Sequence, residues 1–254
     1  GLGDVYKRQG QSTVGYYLGK DIILSSKEEQ ELEGILSRLR DFEPIQYVQG
    51  GVNFMGHRFR VAPGVLIPRP ETEELVEIML KEIPAEARIL DVGTGSGCIA
   101  VSLSKGLPDA RVVAWDVSEE ALAIARGNNE ALQASVRFAL CNVLTCRPSR
   151  EDRYDVIVSN PPYVLEKERR EMERNVLDWE PSLALFVPDT DPLRFYRRIA
   201  ELGREMLVAG GRLYFEINRA FGEATVAMLC EQGYANARIL KDISGNDRFV
   251  LAER

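Results

Sequence analysis

Residues 88–103 read RILDVGTGSGCIAVSL and give the strongest indication of the fold class. It begins with a short apolar run that contains Asp91, continues through a glycine-rich turn, and ends in an apolar helical segment that starts at Cys98. The order of strand, glycine turn and helix is the context that a nucleotide-binding loop requires. Glycine lets the backbone adopt positive φ and approach a ligand closely. The stretch therefore predicts the first β–α unit of a nucleotide-binding α/β domain.

Predicted strands and helices alternate from residue 88 to the carboxyl end, which indicates a mostly parallel, doubly wound sheet. The predicted strands are 88–92, 111–115, 136–140, 154–159, 212–217 and a final antiparallel pair, 237–241 and 248–252. The predicted helices lie near 97–105, 118–131, 191–208 and 221–232. We therefore expect an α/β, Rossmann-like fold with a seven-stranded sheet that ends in an antiparallel hairpin. Ligands of such sheets bind at the carboxyl ends of the strands, which is where Asp91, Asp116, Asn142 and Asn160 lie.

The first 87 residues do not show this alternation. The elements predicted there are a helix over 27–40, a β-hairpin within 52–61 that turns at Gly56-His57, an extended linker over 65–70 and a helix over 71–81. Residues 1–9 have neither the helical nor the strand period, so we expect them to be a truncation scar or a non-native lead. A solvated helix is expected over 166–174.

Composition excludes several classes of protein. The net charge is −7, with 45% hydrophobic and 28% charged residues, which argues against non-specific nucleic-acid binding. No stretch approaches the roughly 18 apolar residues of a membrane span, and no signal-peptide pattern occurs. The single histidine, His57, and four cysteines without a Cys-x-x-Cys pair predict no metal site. We expect a cytoplasmic protein that contacts neither a membrane nor nucleic acid directly.

Residues 160–163 read Asn-Pro-Pro-Tyr and follow the predicted strand 154–159. A central strand cannot continue through two prolines, because each lacks a backbone N–H. What remains is a set of acceptors that we call the acceptor wall: the side-chain oxygen of Asn160 and the main-chain carbonyls of Asn160 and Pro161. Tyr163 adds a flat face with a polar tip. The wall suits a planar NH2 group, whose two hydrogens need two acceptors; an edge strand ending in a proline turn is the alternative interpretation.

The residues around the glycine turn distinguish two cofactors. Asp116 ends the second predicted strand, where a carboxylate can accept hydrogen bonds from both hydroxyls of a ribose. The glycine spacing is G-x-G-x-G, whereas a dinucleotide site has G-x-G-x-x-G and sets a helix N-terminus against a pyrophosphate. Asp91 would repel a pyrophosphate but suits a positively charged sulfonium or α-ammonium group. These features favour S-adenosyl-L-methionine over NAD.

Together these motifs resemble those of the release-factor glutamine-N5 methyltransferases, a family of class I S-adenosylmethionine-dependent enzymes. The resemblance covers residues 42–252. Besides the glycine turn and Ser159 to Tyr163, it rests on Glu43-Pro44, GVLIPRPETE at 64–73, WEPSLAL at 179–185 and DISGNDR at 242–248. The glycine turn marks only the cofactor class, whereas the runs at 64–73 and 179–185 are far more specific.

The resemblance implies the transfer of a methyl group to the side-chain amide nitrogen of the glutamine in the Gly-Gly-Gln motif of peptide chain release factors. It also implies three parts: residues 1–50 as the remnant of an N-terminal helical substrate-binding domain, 51–70 as a β-hairpin and linker, and 71–254 as the methyltransferase domain. The expected catalytic residues are Asn160, Pro161, Pro162 and Tyr163. The expected cofactor-binding residues are Asp91, Gly93, Thr94, Gly95, Ser96, Gly97, Asp116, Asn142, Val143 and Asn160.

The chain departs from the family pattern at two positions beside the expected adenine site. Asn142 stands where family members usually carry aspartate, and an asparagine oxygen can still accept from the adenine amino group. Val143 stands where an aromatic residue sometimes occurs, so we expect weaker stacking on the adenine. The N-terminal helical domain of the family corresponds here to little more than one helix before the hairpin.

Other functions remain open for these residues. An adenine-N6 methyltransferase acting on RNA or DNA also binds a planar NH2, and Tyr163 could stack on a flipped base. A sister enzyme methylates a glutamine of a ribosomal protein. A NAD-dependent oxidoreductase would use the glycine turn but leaves Asn-Pro-Pro-Tyr unexplained, and a non-catalytic binding module is the last alternative.

Overall fold

The computed structural model describes residues 24–149 and 152–254. The chain divides into two compact units, Gly1–Asp41 and Phe42–Arg254. The described part of the first unit, residues 24–41, contains helix α1, Ser26–Arg40, which begins with a capping box between Ser25 and Glu28. The lead predicted at residues 1–9 lies outside the described residues. The division falls nine residues before the boundary at 50 expected from the sequence.

The other helices and strands that the structure describes lie in the second unit. The helices are α2 (Ile45–Val48), α3 (Pro70–Glu82), α4 (Cys98–Gly106), α5 (Glu119–Ala131), α6 (Arg174–Leu177), α7 (Ser182–Leu185), α8 (Arg194–Met206) and α9 (Gly222–Glu231). The strands are β1 (Val52–Phe54), β2 (His57–Phe59), β3 (Arg88–Val92), β4 (Arg111–Asp116), β5 (Val136–Leu140), β6 (Tyr154–Ser159), β7 (Val164–Leu165), β8 (Phe186–Val187), β9 (Leu207–Glu216), β10 (Ala235–Lys241) and β11 (Asp247–Glu253). Short 3-10 helices cover Glu166–Glu171 and Arg219–Phe221. None of the helices described here is long and apolar enough to cross a membrane.

The seven-stranded sheet has the order β10-β11-β9-β6-β3-β4-β5. Pairing is parallel from β5 through β9, and β11 runs antiparallel to both β9 and β10. The predicted seven-stranded, Rossmann-like fold with its terminal hairpin is thereby confirmed. The strand order reverses at β3, which has β4 on one side and β6 on the other, and this is the switch point where such sheets bind ligands. Val92 lies opposite both Trp115 and Ser159, so these three strands end level with one another.

Alternate residues of the central strands bury on opposite faces of the sheet. In β3, Ile89 packs with the core formed by α3 and α4, whereas Leu90 packs with the core formed by α8 and α9. Both side chains are essentially inaccessible to water. A strand buried on both faces reads as a continuous apolar run, as expected for a parallel sheet covered by helices. The packing therefore holds the strand ends rigidly in place.

Several predicted boundaries were wrong. The hairpin turns at Met55-Gly56, one residue earlier than predicted, because both have positive φ (49° and 73°), as a two-residue turn of this hand requires. The helix predicted over 191–208 is α8, which stops at Met206 because buried Leu207 is extended and opens β9. The helix expected over 166–174 is a 3-10 helix over Glu166–Glu171.

Strand β9 is longer than predicted because it contains a bulge. Leu207 pairs with Tyr154, but Arg212 pairs with Val156, so the intervening residues of β9 outnumber those of β6. Gly210 has φ +74° within this irregular stretch. The regular part of the strand then runs to Glu216 beside the end of β6.

Candidate active site

The glycine turn between β3 and α4 is held by the neighbouring strand. The backbone N–H groups of Gly93 and Thr94 both donate to the carbonyl of Trp115, at 2.8 and 2.9 Å. Gly93, Gly95 and Gly97 have φ of 77°, 54° and 82°, a region that favours glycine. The turn therefore needs its glycines for its own conformation.

Asp116 closes the turn from the end of β4. One carboxylate oxygen accepts from the backbone N–H of Gly95 at 2.8 Å, and the other accepts from Ser118 N at 2.9 Å. The side chain is half-buried, so it keeps access to the space above the strand ends. Asp116 thus lies beside the glycine turn, as the sequence predicted.

Asp91 is fully buried beneath the turn. The Thr94 hydroxyl donates to its Oδ2 at 2.6 Å, and its Oδ1 has no hydrogen-bond partner among the described residues. Burial raises the pKa of Asp91 to about 7, and the charge of Asp116 acts in the same direction. The orphaned oxygen makes Asp91 a group that a cationic ligand would stabilise.

The space and chemistry at the turn fit S-adenosyl-L-methionine. A Cβ atom placed on Gly93 or Gly95 would meet no heavy atom within 4 Å, so the turn faces open space. Residues 93–97 carry no cation for a pyrophosphate, whereas Asp91 and Asp116 supply negative charge. These two carboxylates therefore suit the ribose and the positive charge of that cofactor.

The remaining residues of the turn are directed inward. Thr94 and Ser96 are buried, and the Ser96 carbonyl accepts from the Asn128 side chain at 2.8 Å. A Cβ on Gly97 would lie 3.1 Å from the Ala125 Cβ, so this glycine allows α4 and α5 to pack closely. These three residues support the turn, and cofactor contacts through them stay a prediction.

Asn142 and Val143 follow β5 at the same edge of the sheet. The backbone N–H of Cys141 donates to the carbonyl of Asp116 at 2.8 Å, which ties this segment to β4. Asn142 is exposed, and its Oδ1 accepts from Leu144 N at 3.0 Å in an Asx turn. The Val143 carbonyl accepts from the Arg198 guanidinium at 3.2 Å. The segment is thus held by its backbone and leaves the Asn142 side chain at the surface.

Asn160 begins a hydrogen-bonded chain that the sequence did not reveal. Its Nδ2 donates to the Thr72 hydroxyl oxygen at 3.3 Å, and the Thr72 hydroxyl donates to Glu216 Oε2 at 2.6 Å. The Tyr163 hydroxyl donates to Glu216 Oε1 at 3.1 Å. Two expected site residues, Asn160 and Tyr163, are therefore connected through a buried carboxylate.

Glu216 is 1% exposed at the end of β9. Burial raises its pKa, whereas the hydrogen bonds from Thr72 and Tyr163 and the charge of Arg248 act in the opposite direction. Burial and the nearby carboxylate also raise the pKa of Tyr163, which keeps its phenol protonated as a donor. The network therefore consists of hydroxyl donors converging on one carboxylate.

Pro161 is buried and Pro162 half-buried after the end of β6, and the backbone beyond them is also held. Asn218 donates to the Tyr163 carbonyl at 3.2 Å. No described residue donates to Asn160 Oδ1 or to the carbonyls of Asn160 and Pro161. The three acceptors of the acceptor wall are thus left available.

The two most specific sequence runs meet through another buried carboxylate, Glu180. Its Oε2 accepts from Ile67 N at 2.9 Å and its Oε1 forms an ion pair with Arg69 at 2.6 Å. These contacts fix the linker just before α3 and so fix the position of Thr72. The 179–185 run therefore serves the site by placing the 64–73 run.

Sequence reasoning missed the roles of Thr72, Glu180 and Glu216. Thr72 and Glu180 stood inside motifs that were recognised without any assigned contact. Glu216 carried a usable signal, because it is a lone acid inside the apolar run Leu213 to Ile217. Among the residues that the structure describes, no group of three or more His, Cys, Asp or Glu side chains could hold a metal ion.

Comparison with known proteins identifies the family to which the chain belongs. Residues 69–178 match the family model described as methyltransferase small domain. The chain is 60% identical over 245 residues to the release factor glutamine methyltransferase of Bacteroides thetaiotaomicron, covering 96% of this chain and 88% of that protein. It is 46% identical to the enzyme of the same name from Flavobacterium psychrophilum, covering 93% and 85%.

A solved methyltransferase from Pyrococcus furiosus shares the fold, with a TM-score of 0.58 and 17% identity over 86% of this chain and 96% of that one. This likeness concerns architecture alone. The matches to the two bacterial relatives extend over nearly the whole chain. The chain belongs to the release factor glutamine methyltransferase family.

Proposed function

We propose that this protein transfers a methyl group from S-adenosyl-L-methionine to the side-chain amide nitrogen of the glutamine in the Gly-Gly-Gln motif of peptide chain release factors. The observation that carries the proposal is the acceptor wall, whose three oxygens receive no hydrogen bond from the described residues. Membership of the release factor glutamine methyltransferase family gives the substrate class.

The glycine turn and the two aspartates are the proposed cofactor site. Asp116 lies where it can accept from ribose hydroxyls while it orders Gly95, and Asp91 supplies negative charge below the turn. Asn142 and Val143 would flank the adenine. When bound, the cofactor supplies a methyl group on a positively charged sulfur, which keeps the electrons of the broken S–C bond as the N–C bond forms.

The amide nitrogen of glutamine is a poor nucleophile because its lone pair is delocalised into the carbonyl. Asn160 Oδ1 and the Pro161 carbonyl can accept its two hydrogens and orient the nitrogen. The same acceptors stabilise the positive charge that grows on nitrogen during transfer. Orientation and fixed dipoles can carry this reaction without a strong base, since the methylated nitrogen becomes strongly acidic and releases its extra proton to water. His57 lies in the β1–β2 hairpin, outside the hydrogen-bonded network of the site.

The acceptor wall also selects the substrate. A glutamate side chain would place lone pairs against lone pairs, and built polar sites reject such analogues strongly. Adenine carries an equivalent NH2, but the family to which the chain belongs is named for release factors and glutamine. A glutamine of a ribosomal protein is a more similar alternative substrate than adenine. Comparing the rates of methyl transfer to the two proteins distinguishes between them.

We further propose that residues 1–50 help to bind the release factor and that the enzyme acts in the cytoplasm, where translation terminates. Contact with nucleic acid or membrane is not required by this reaction. The acceptor wall and the cofactor site both lie within residues 71–254, the proposed methyltransferase domain.

The test is methylation of a full-length release factor with labelled S-adenosyl-L-methionine, with the modified residue located by mass spectrometry. We expect label on the glutamine of Gly-Gly-Gln and none on a release factor in which glutamate replaces it. RNA, DNA and ribosomal proteins serve as parallel substrates. Faster transfer to adenine or to a ribosomal protein glutamine would overturn the proposed function.

A further inference from the structure

The orientation of the Asn160 amide is the feature on which the proposed specificity depends. An asparagine side chain presents either an acceptor or a donor, depending on which way its amide is turned. We propose that Thr72 and Glu216 are positioning residues that hold this amide with its oxygen toward the substrate. This inference rests on the proposed function and deepens it by assigning the residues that set amide selectivity.

The direction follows from counting hydrogens. One hydroxyl contacts each oxygen of Glu216, and these two hydrogen bonds together with the charge of Arg248 favour its ionised form. An ionised carboxylate only accepts, and a threonine hydroxyl has one hydrogen to give. The 2.6 Å separation of Thr72 Oγ1 from Glu216 Oε2 is the length of a charge-assisted O–H···O bond, so the Thr72 hydroxyl donates its hydrogen to Glu216. Tyr163 occupies the other carboxylate oxygen at 3.1 Å. The Thr72 oxygen is left as an acceptor toward Asn160.

That acceptor admits only one orientation of the amide. With Nδ2 toward Thr72, at 3.3 Å, the contact is a hydrogen bond. With the amide turned over, Oδ1 would face the Thr72 oxygen with no hydrogen between them, which leaves buried polar atoms unpaired. The buried charge of Glu216 therefore determines, through Thr72, that Asn160 Oδ1 joins the acceptor wall.

Both positioning residues are themselves held firmly. Thr72 is 2% exposed in the first turn of α3, which follows the segment fixed by Glu180. Glu216 ends β9, and the residue before it, Phe215, lies opposite Ser159, the residue before Asn160. The sheet register thus brings the carboxylate level with the amide that it orients.

The first experiment compares Thr72→Val with Thr72→Ser. Valine keeps the shape and removes the hydroxyl, so we expect kcat/KM for a Gly-Gly-Gln release factor to fall about tenfold, the worth of one hydrogen bond. S-adenosyl-L-methionine affinity should stay within about twofold, and serine should restore kcat/KM to within about threefold of the unmodified enzyme. A kcat/KM of Thr72→Ser as low as that of Thr72→Val would contradict the inference.

Thr225→Val is the matched control. Thr225 is equally buried, and its hydroxyl donates to the Phe221 carbonyl at 2.8 Å in α9. We expect this change to lower the melting temperature without altering kcat/KM by more than about twofold. A comparable loss of activity in both valine variants would indicate a general effect of removing a buried hydroxyl.

Glu216→Gln provides a second test that does not depend on the folding of Thr72→Val. A glutamine amide can donate to the Thr72 oxygen, which frees the Thr72 hydrogen to point at Asn160 and favours the opposite orientation of its amide. We expect methylation of the glutamine substrate to fall more than tenfold. Inhibition by a release factor peptide with glutamate at the target position should become about tenfold stronger. Unchanged inhibition in the folded variant would refute the inference.

The two levels of the proposal fail in different ways. An unmodified enzyme that does not methylate the release factor would refute the proposed function. An active enzyme whose Thr72→Val and Glu216→Gln variants keep full activity would refute only the positioning role.

Discussion

The cofactor site and the amide-binding site differ in how far apart their residues are in the chain. At the cofactor site, Asp116 holds Gly95 across 21 residues, and both lie in one β–α–β unit. At the amide-binding site, Asn160 reaches Thr72 across 88 residues and Thr72 reaches Glu216 across 144. The first site is therefore a local property of the chain, whereas the second is assembled by the whole fold.

The two sites also use their carboxylates differently. One oxygen of Asp91 has no hydrogen-bond partner in the described part of the chain, and Asp116 is half-buried, so both have capacity for a ligand. Both carboxylate oxygens of Glu216, and both of Glu180, accept hydrogen bonds from other residues of the protein. Negative charge thus binds ligand at the first site and organises the protein at the second.

The sharpest way to separate the two sites is Asn160→Ala. It removes one acceptor from the acceptor wall, so kcat/KM for the release factor should fall by about 10²–10³, as for loss of one oriented transition-state partner. Cofactor affinity should remain close to that of the unmodified enzyme. Steady-state kinetics and calorimetry measure the two quantities, and full activity in the folded variant would show that the wall does not act on the substrate.

Asp116→Ala should do the reverse. We expect S-adenosyl-L-methionine binding to weaken by about 1–3 kcal/mol, because charge-assisted hydrogen bonds are lost and the Gly95 N–H loses its acceptor. Asp116→Asn keeps an acceptor and should lose less. Calorimetry with both variants measures the affinity for the cofactor. Unchanged affinity in Asp116→Ala would show that Asp116 does not bind the cofactor. Tighter binding of NAD than of S-adenosyl-L-methionine would favour an oxidoreductase.

Asp91 should make cofactor binding depend on pH. Its pKa in the folded protein is about 7, above the ordinary 3.8, so the folded state holds this proton more tightly than the unfolded chain. The stabilising contribution of the group is therefore present at acid pH and is lost as pH rises through 7. A cationic ligand favours the ionised form, so affinity should rise by up to about tenfold from about pH 6 to about pH 8.

Calorimetry across that pH range tests this expectation, with Asp91→Asn as the variant that cannot ionise. The pH dependence should disappear in the variant. A slope that survives the substitution would assign the titration to another group.

The smallest effect is expected for Asn142→Asp. Asn142 is exposed and its oxygen already accepts from Leu144 N, a contact that aspartate can also make. We expect cofactor affinity to change by less than about threefold. A gain of more than about tenfold would show that charge at this position contributes directly to adenine binding.

The elements that were predicted well are those with a strong local pattern. β3, β5 and β6 match their predicted ranges, because each is a short run of alternating or continuous apolar residues ended by glycine, asparagine or a polar turn. The end of α8 and the start of β9 were misplaced, because Leu207 continues an apolar helical pattern although the sheet core buries it as a strand residue. Tertiary burial overrides local propensity there.

The α/β class, the glycine turn with Asp91 and Asp116, and the proline-terminated strand that carries Asn160 could all be predicted from the amino-acid sequence. Each of these features depends on the backbone chemistry or on the hydrophobic periodicity of a short segment, so residues that are neighbours in the sequence are enough to predict it. The fold was needed to show that Thr72 and Glu216 form a hydrogen-bonded chain with Asn160 and that Glu180 holds the start of α3. The Asn160–Thr72 and Thr72–Glu216 contacts join residues that are 88 and 144 positions apart in the chain, and the Arg69–Glu180 ion pair joins residues 111 positions apart. They depend on the order and register of the strands, which a short-range sequence pattern does not encode.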